Sequence, residues 1–252
     1  MRLNEIYKHP VIVLNPYTKW FKCGEANEEQ VKDLLKQFSV FSLQFKAIQA
    51  KRMVNANNIE SELEAWGILV SELGGDSNIW KPEGGRIIRK NSHIEWLRDT
   101  AEVLQIARND LGRWYIANRA TKEFLNGLDS SYGSPNWNCG AGASFAIESW
   151  AGFGIGKGKR AELNNFWKEL IIGLEKFNQK RKQKDLPQMD LGFFQYHFEL
   201  ERQHVDSVER ELEKTCSDPD FNENDWFIGA RLALQSIYIF WCGLDEARKT
   251  LI

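Results

Sequence analysis

The sequence predicts an all-α protein, a single-domain bundle of seven to eight helices. Three observations lead there. Apolar residues recur at three- and four-residue spacing over long stretches, the period of helices that turn one face to a core. No stretch alternates apolar and polar residues convincingly enough for a sheet, and no internal repeat appears. The chain has 252 residues, 42% of them hydrophobic, which suffices for one substantial core, so a single domain over 1–252 fits better than two small ones.

The elements follow in order. Residues 1–26 read as an irregular, partly extended arm, with Pro10 and Pro16 stopping a helix and Tyr7, Val11, Ile12, Val13 and Leu14 covering an open edge of the bundle. Asn27 suits the cap of a first long helix over 28–54, whose inner face is Val31, Leu34, Leu35, Phe38, Phe41 or Ser42, Phe45 and Ile48. A second helix over about 58–73 carries the stripe Ile59, Leu63, Trp66, Leu69 or Val70 and Leu73, and stops at Gly74-Gly75. The run 74–91 is a glycine-, proline- and charge-rich loop, long for a bundle connection, suited to a lid or a substrate contact and equally to disorder. Ser92 and Glu95 form a capping-box pattern that opens a helix to about 110. A shorter helix near 113–128 ends at the turn-rich SSYGSPN. The small residues of 136–153 suit a helix packed closely on its neighbours. Helices over about 160–183, 188–216 and 223–249 complete the chain. GFGIGKGK at 152–159 fits neither phosphate-loop pattern and reads as an inter-helix turn.

Composition excludes several classes. Thirty-three basic and 35 acidic residues give a net charge of −2, interleaved, which leaves no footprint for nucleic acid or an anionic membrane. No apolar run approaches the ~20 residues of a membrane span, and MRLNEIYKHPVIVLNP lacks the features of a signal peptide. Cys23, Cys139, Cys216 and Cys242 lie far apart without a C-x2-C pair, against a zinc ribbon or a disulfide framework. A cytoplasmic setting is the expectation.

Function concentrates in 191–212, LGFFQYHFELERQHVDSVEREL. His197, Glu201 and His204 are spaced H-x3-E-x2-H and fall within about 60° of a helix surface. The same stripe continues through Phe194, Val208 and Leu212, so the polar triplet interrupts an apolar seam. Imidazoles and a carboxylate on a core-facing stripe need partners, and such nitrogen and oxygen ligands suit iron, manganese or zinc. The plainer alternative is a surface helix with incidental histidines. A carboxylate-bridged site in a bundle needs further inward ligands from other helices. Glu148, amid small and apolar residues in SFAIESWAGF, is one candidate, unless it faces solvent. Glu72 at the end of the second helix is another, unless it is an ordinary surface glutamate. His93 at the start of the third is the last, unless it is a satisfied terminal histidine.

FFQYHFELERQHVD (193–206) resembles the F-F-x2-H-x3-D-x2-H signature of the haem-oxygenase-like di-metal oxidases, the CADD-like branch of the TENA/PqqC-type fold. SELGGDSN and NSHIEWLRDTAEVL are similar to that family's E-L-G-x-G-D turn and its following histidine, at Glu72 and His93. SFAIESWAGF matches its central glutamate at Glu148, and IYIFWCGLDEA its closing helix. The resemblance spans about 58–246 in the same order. Two departures stand out. Glu201 replaces the family's aspartate, and the Glu72–His93 loop is about twice the usual length.

The resemblance implies a haem-oxygenase-like fold, a homodimer, and two iron ions held by Glu72, His93, Glu148, His197, Glu201 and His204, with manganese or zinc as substitutes and no haem. It implies an O2-dependent oxidoreductase, supplied by an external electron donor, that acts on a small amine, amino-acid or fatty-acid-type substrate by N-oxygenation, desaturation or C–C cleavage, in specialised metabolism. Trp114, Tyr115, Phe145, Phe194 and Tyr196 are candidates to line the substrate pocket, with Arg86 or Arg89 meeting a charged substrate group. Three rivals stand beside this. A haem oxygenase needs a histidine near the first helix, which has none. A TENA-type thiamin-related hydrolase needs a cysteine nucleophile, for which Cys139 is the candidate. The last is a helical interaction protein without enzymatic activity.

Overall fold

The computed structural model describes residues 3–75, 87–152 and 166–251, and of 200–211 the backbone alone. The arm differs from expectation. It forms three short helices, α1 (Leu3–Tyr7), α2 (Pro10–Val13) and α3 (Pro16–Phe21). Pro10 and Pro16 do not stop these helices but open them. At the first helical position the missing N–H is one that no helix would satisfy, and the fixed φ is already helical. His9 and Asn15 cap the two turns, accepting from Val11 N at 3.3 Å and Thr18 N at 3.2 Å. Ile6, Val11, Tyr17 and Phe21 are thereby delivered to the core.

Helix α4 (Glu28–Val54) begins where the sequence places it. Asn27 Oδ1 accepts from Gln30 N at 2.9 Å, and Gln30 Oε1 accepts from Asn27 N at 2.8 Å, a reciprocal capping box. Helix α5 (Ile59–Glu72) ends as Gly74 turns back at φ +89°, a conformation only glycine adopts cheaply. Its expected stripe is only partly its buried face. Val70 is buried as expected, but Ile59, Leu63 and Trp66 are exposed, and Ala65 is buried in their place. The helix has rotated its small side toward α4, where Gln49 Nε2 donates to Ala65 O at 2.7 Å.

Gly75 and Ile87 form an isolated antiparallel bridge that pinches the ends of the long loop together. Residues 76–86, Arg86 among them, lie outside the described residues. Helix α6 (His93–Glu102) is shorter than expected, and the chain leaves it through Gln105 at φ +58°. Ser92 is its cap position, but Glu95 does not complete a capping box. Its carboxylate is taken by Arg98 and Arg108, each at 2.6 Å, and by Arg89 at 3.3 Å. Helix α7 runs from Arg119 to Ser131 and α8 from Trp137 to Gly152. Then come α9 (Phe166–Lys182), α10 (Gly192–Ser217) and α11 (Glu223–Ala247). The described residues are helical with no strand, so the all-α class holds.

The core is built around α11, which lies along α8 and α7 and is closed over by α2 and α3. Small residues set how closely α8 approaches it. A Cβ on Gly142 would stand 1.8 Å from Trp226 O, and one on Gly229 would stand 1.9 Å from Cys139 O. By length and composition α11 is apolar enough to cross a membrane, which the reading of apolar runs missed. Over half of its most apolar window is buried, with Trp226, Leu234, Ile237 and Trp241 inside. Its apolar character is that of a central core helix. At the far side, Arg181 ties α9 to the rest of the molecule. It donates to Glu28 Oε2 at 2.9 Å, Val103 O at 3.1 Å and Pro187 O at 2.7 Å.

Candidate metal centre

The bundle brings three chain segments to one buried point. Glu72 is the last residue of α5, His93 the first of α6, and His197 lies in the second turn of α10. Helix α10 packs on α6, α8 and α9, and α5 on α6. Glu72 Oε1 lies 2.9 Å from His93 Nδ1, and His197 Nε2 lies 3.2 Å from the same nitrogen. One ligand atom from each of the three falls within 4.8 Å of the others. His93 and His197 are 3% and 7% exposed, and the Glu72 side chain 15%.

The two contacts at His93 Nδ1 cannot both be ordinary two-centre hydrogen bonds. His93 Nδ1 carries at most one proton, and it faces both a carboxylate oxygen and a second imidazole nitrogen. His197 Nδ1–H donates to Phe193 O at 2.7 Å, which leaves the Nε2 lone pair directed at the cluster. Lone pairs converging without enough protons to pair them are what a cation resolves. Bonds of about 2.0–2.2 Å to one ion place adjacent ligand atoms about 3.0–3.5 Å apart, and the two measured separations are close to that range. Glu72 also sits at the negative end of α5, an unfavourable place for a carboxylate by itself. Burial pushes its carboxyl up. With no ion bound and the imidazoles protonated, the charge and hydrogen bond of His93, with His197 and Lys46 nearby, outweigh this and hold it below the usual carboxylate range.

The other candidates are placed as follows. Glu148 is buried in α8, the helix beside α10, but is not one of the three converging groups. Glu201 and His204 lie in α10 one and two turns beyond His197, and their side chains are outside the described residues. Tyr196 does reach the site. Its ring is 5.5 Å from that of His93 and 5.7 Å from that of His197. Phe194 is fully buried against Phe193 at 5.1 Å, and Phe145 packs on Trp226 at 5.0 Å. Trp114 and Tyr115 lie on a surface turn, Tyr115 69% exposed with its hydroxyl donating to Asp110. Arg89 is spent on Glu95 rather than pointed at the cluster.

Sequence reasoning missed three rings that enclose the histidines. Trp96, one turn after His93, stacks on it at 5.5 Å, while Trp167 and Phe193 face His197 at 4.9 and 4.3 Å. Trp96 and Phe193 stand three and four residues from a histidine, a spacing that was available. Trp167 comes from another helix and carried no such signal.

No family model and no curated protein matches the chain. Solved structures do. A crystal structure of a CADD-like protein of unknown function from Nostoc punctiforme aligns over 97% of this chain and 96% of its own, with a TM-score of 0.61 and 15% identity. A second crystal structure of that protein covers 99% and 97%, with a TM-score of 0.59 and 17% identity. The fold is that of the CADD-like proteins. The CADD-like fold was legible in the histidine helix and in the order of the elements around it. At this identity the likeness concerns the fold alone.

Proposed function

We propose that this CADD-like protein is a non-haem diiron oxygenase or oxidase that uses O2 on a small amine, amino-acid or fatty-acid-type substrate. The observation that carries the reading is the convergence of Glu72, His93 and His197 at one buried point, where two partners face a single ring nitrogen of His93. Glu72, His93 and His197 are the residues to hold one ion, and Glu148, Glu201 and His204 are the candidates to complete a second position. Bound iron supplies the reduction of O2 and the one-electron chemistry that side chains lack.

The chain's own residues do the rest. Phe193 O fixes the ring of His197 and directs Nε2 inward. Trp96, Trp167 and Phe193 pack against the imidazoles and exclude water, which strengthens every charge interaction at the ligands. Tyr196, 36% exposed, forms the outer wall against both histidines and is the side from which a substrate reaches them. The rival thiol chemistry is disfavoured. Burial pushes the Cys139 thiol up, a hydrogen bond from Ser134 only partly opposes this, and Asp225 adds to it, the opposite of an activated nucleophile.

The test is O2 uptake by Fe(II)-loaded protein with an amine, an amino acid and a fatty acid in turn, and product mass as readout. Substrate-dependent uptake with a product changed by oxygen insertion, hydrogen loss or carbon loss is expected. A protein that takes up iron yet consumes no O2 with any class overturns it.

A further inference from the structure

We infer that a run of aromatic rings carries single electrons from Trp20 at the surface to the candidate metal centre. The rings come from four separate helices and meet end to end. His197 stacks on Trp167 at 4.9 Å, Trp167 meets Phe166 at 4.5 Å and Phe166 meets Trp241 at 5.6 Å, the last two pairs tilted. Trp241 reaches Tyr17 at 5.7 Å, and Tyr17 reaches Trp20 at 5.5 Å. Trp150 stacks face to face on Phe166 at 4.4 Å and 3° and stands 6.4 Å from Trp241, a side branch.

Packing alone does not account for the choice of indole. The ring N–H groups of Trp150 and Trp241 are buried with no hydrogen-bond partner among the described residues. Buried indoles ordinarily find one, and a phenylalanine would fill a dry core without that desolvation cost. An unpartnered N–H does serve electron transfer. With no acceptor beside it, a ring that has lost one electron cannot shed its proton, so the charge passes on instead of being trapped.

The balance is simple. An O2-derived oxidant at the centre, which rests on the function proposed above, takes one electron from Trp167 and is reduced by one. Trp167 is refilled from Trp241 through Phe166, and Trp241 from Trp20 through Tyr17. No bond forms or breaks and no proton moves. Trp20 regains its electron from a small one-electron reductant, a thiol or ascorbate. Arg248 lies 4.2 Å over Trp20 and makes that ring harder to oxidise, but it is paired with Asp245 at 2.7 Å, which tempers the effect. The route gives an oxidising equivalent that meets no substrate a way out of the core.

Cys23 is exposed and three residues from Trp20, so the test needs no iron. A ruthenium photo-oxidant is attached to Cys23 in metal-free Cys216→Ser protein. Flash oxidation is followed by tryptophan-radical absorbance and by mass mapping of oxidised peptides. Oxidation is expected at Trp20 and at Trp167. Trp241→Phe should cut oxidation at Trp167 at least tenfold and leave Trp20 unchanged. Trp20→Phe, at a half-buried ring, should cut it likewise and covers the case in which Trp241→Phe fails to fold. Tyr115→Phe, on an exposed turn off the route, should leave oxidation at Trp167 unchanged. Oxidation confined to Trp20 in the parent, or unchanged at Trp167 in both tryptophan variants, overturns the inference. Because no metal is present, these outcomes are independent of whether the centre activates O2.

Discussion

Gly142→Ala probes how tightly the helix bearing Glu148 is seated. The added Cβ would lie 1.8 Å from Trp226 O, 2.6 Å from its carbonyl carbon and 3.0 Å from its Cα. The obstacle is backbone on a central helix, not the end of a flexible side chain, so α8 and α11 must separate by about 1 Å or bend. Overpacking of this kind costs about 1–3 kcal/mol, and alanine's better helix propensity returns up to about 1 kcal/mol. A net loss of about 1–2 kcal/mol is expected, which for a domain of this size lowers the melting temperature by roughly 2–8 °C. Gly192→Ala is the contrast. Its nearest obstacle is the side-chain oxygen of Asp190 at 3.1 Å on an exposed first turn, so it should be neutral within about 0.5 kcal/mol. Urea unfolding of both, followed by far-UV circular dichroism, reads the difference. A Gly142→Ala protein as stable as the parent, with the parent's unfolding slope, would refute the reasoning.

Other perturbations have definite directions. Arg181→Met keeps the aliphatic stem but orphans the Pro187 and Val103 carbonyls, and should cost about 2–3 kcal/mol in urea unfolding. Asp33 is half-buried, and burial raises its carboxyl above the ordinary range, with a hydrogen bond from Gln37 and the charge of Lys36 opposing. A raised folded value means the native state holds its proton longer. Stability therefore falls as pH rises from the ordinary carboxylate range through that value, and Asp33→Asn should remove the decline in a pH series of melting temperatures. Along α10, Fe(II) affinity should fall in the order Glu201, Glu201→Asp, Glu201→Ala, because shortening withdraws the carboxylate by roughly 1.5 Å and metal–oxygen bonds tolerate little of that. Three indistinguishable anaerobic titrations would remove Glu201 from the site.

What the sequence revealed depended on how local the determinant was. The start of α4 was readable because Asn27 and Gln30 satisfy each other within one turn. The end of α5 was readable because Gly74 takes a conformation few other residues tolerate. The inward position of His197 was readable because it interrupts an apolar stripe, and the meeting of Glu72 and His93 with it was suggested only by resemblance, since each by itself is an ordinary helix-end residue. Where a distant partner decided, local patterns misled. Glu95 has capping-box spacing, but Arg98 and Arg108 take its carboxylate. Ile59, Leu63 and Trp66 have core spacing, but the close approach of α4 favours Ala65 and turns them outward. Trp114 and Tyr115 looked like pocket residues, yet their turn lies on the surface. Trp167 meets His197 only because α9 folds against α10.

The claim that Glu72, His93 and His197 hold a metal ion is tested most directly by anaerobic Fe(II) titration of the parent beside Glu72→Gln, His93→Ala and His197→Ala, each checked for helicity by circular dichroism. The parent should bind Fe(II) tightly. Each variant should lose affinity by at least about a hundredfold, beyond the 10–100-fold typical of residues that merely orient a ligand, and keep the parent's helicity. Folded variants that bind Fe(II) as the parent does, or a parent that binds none, would contradict it.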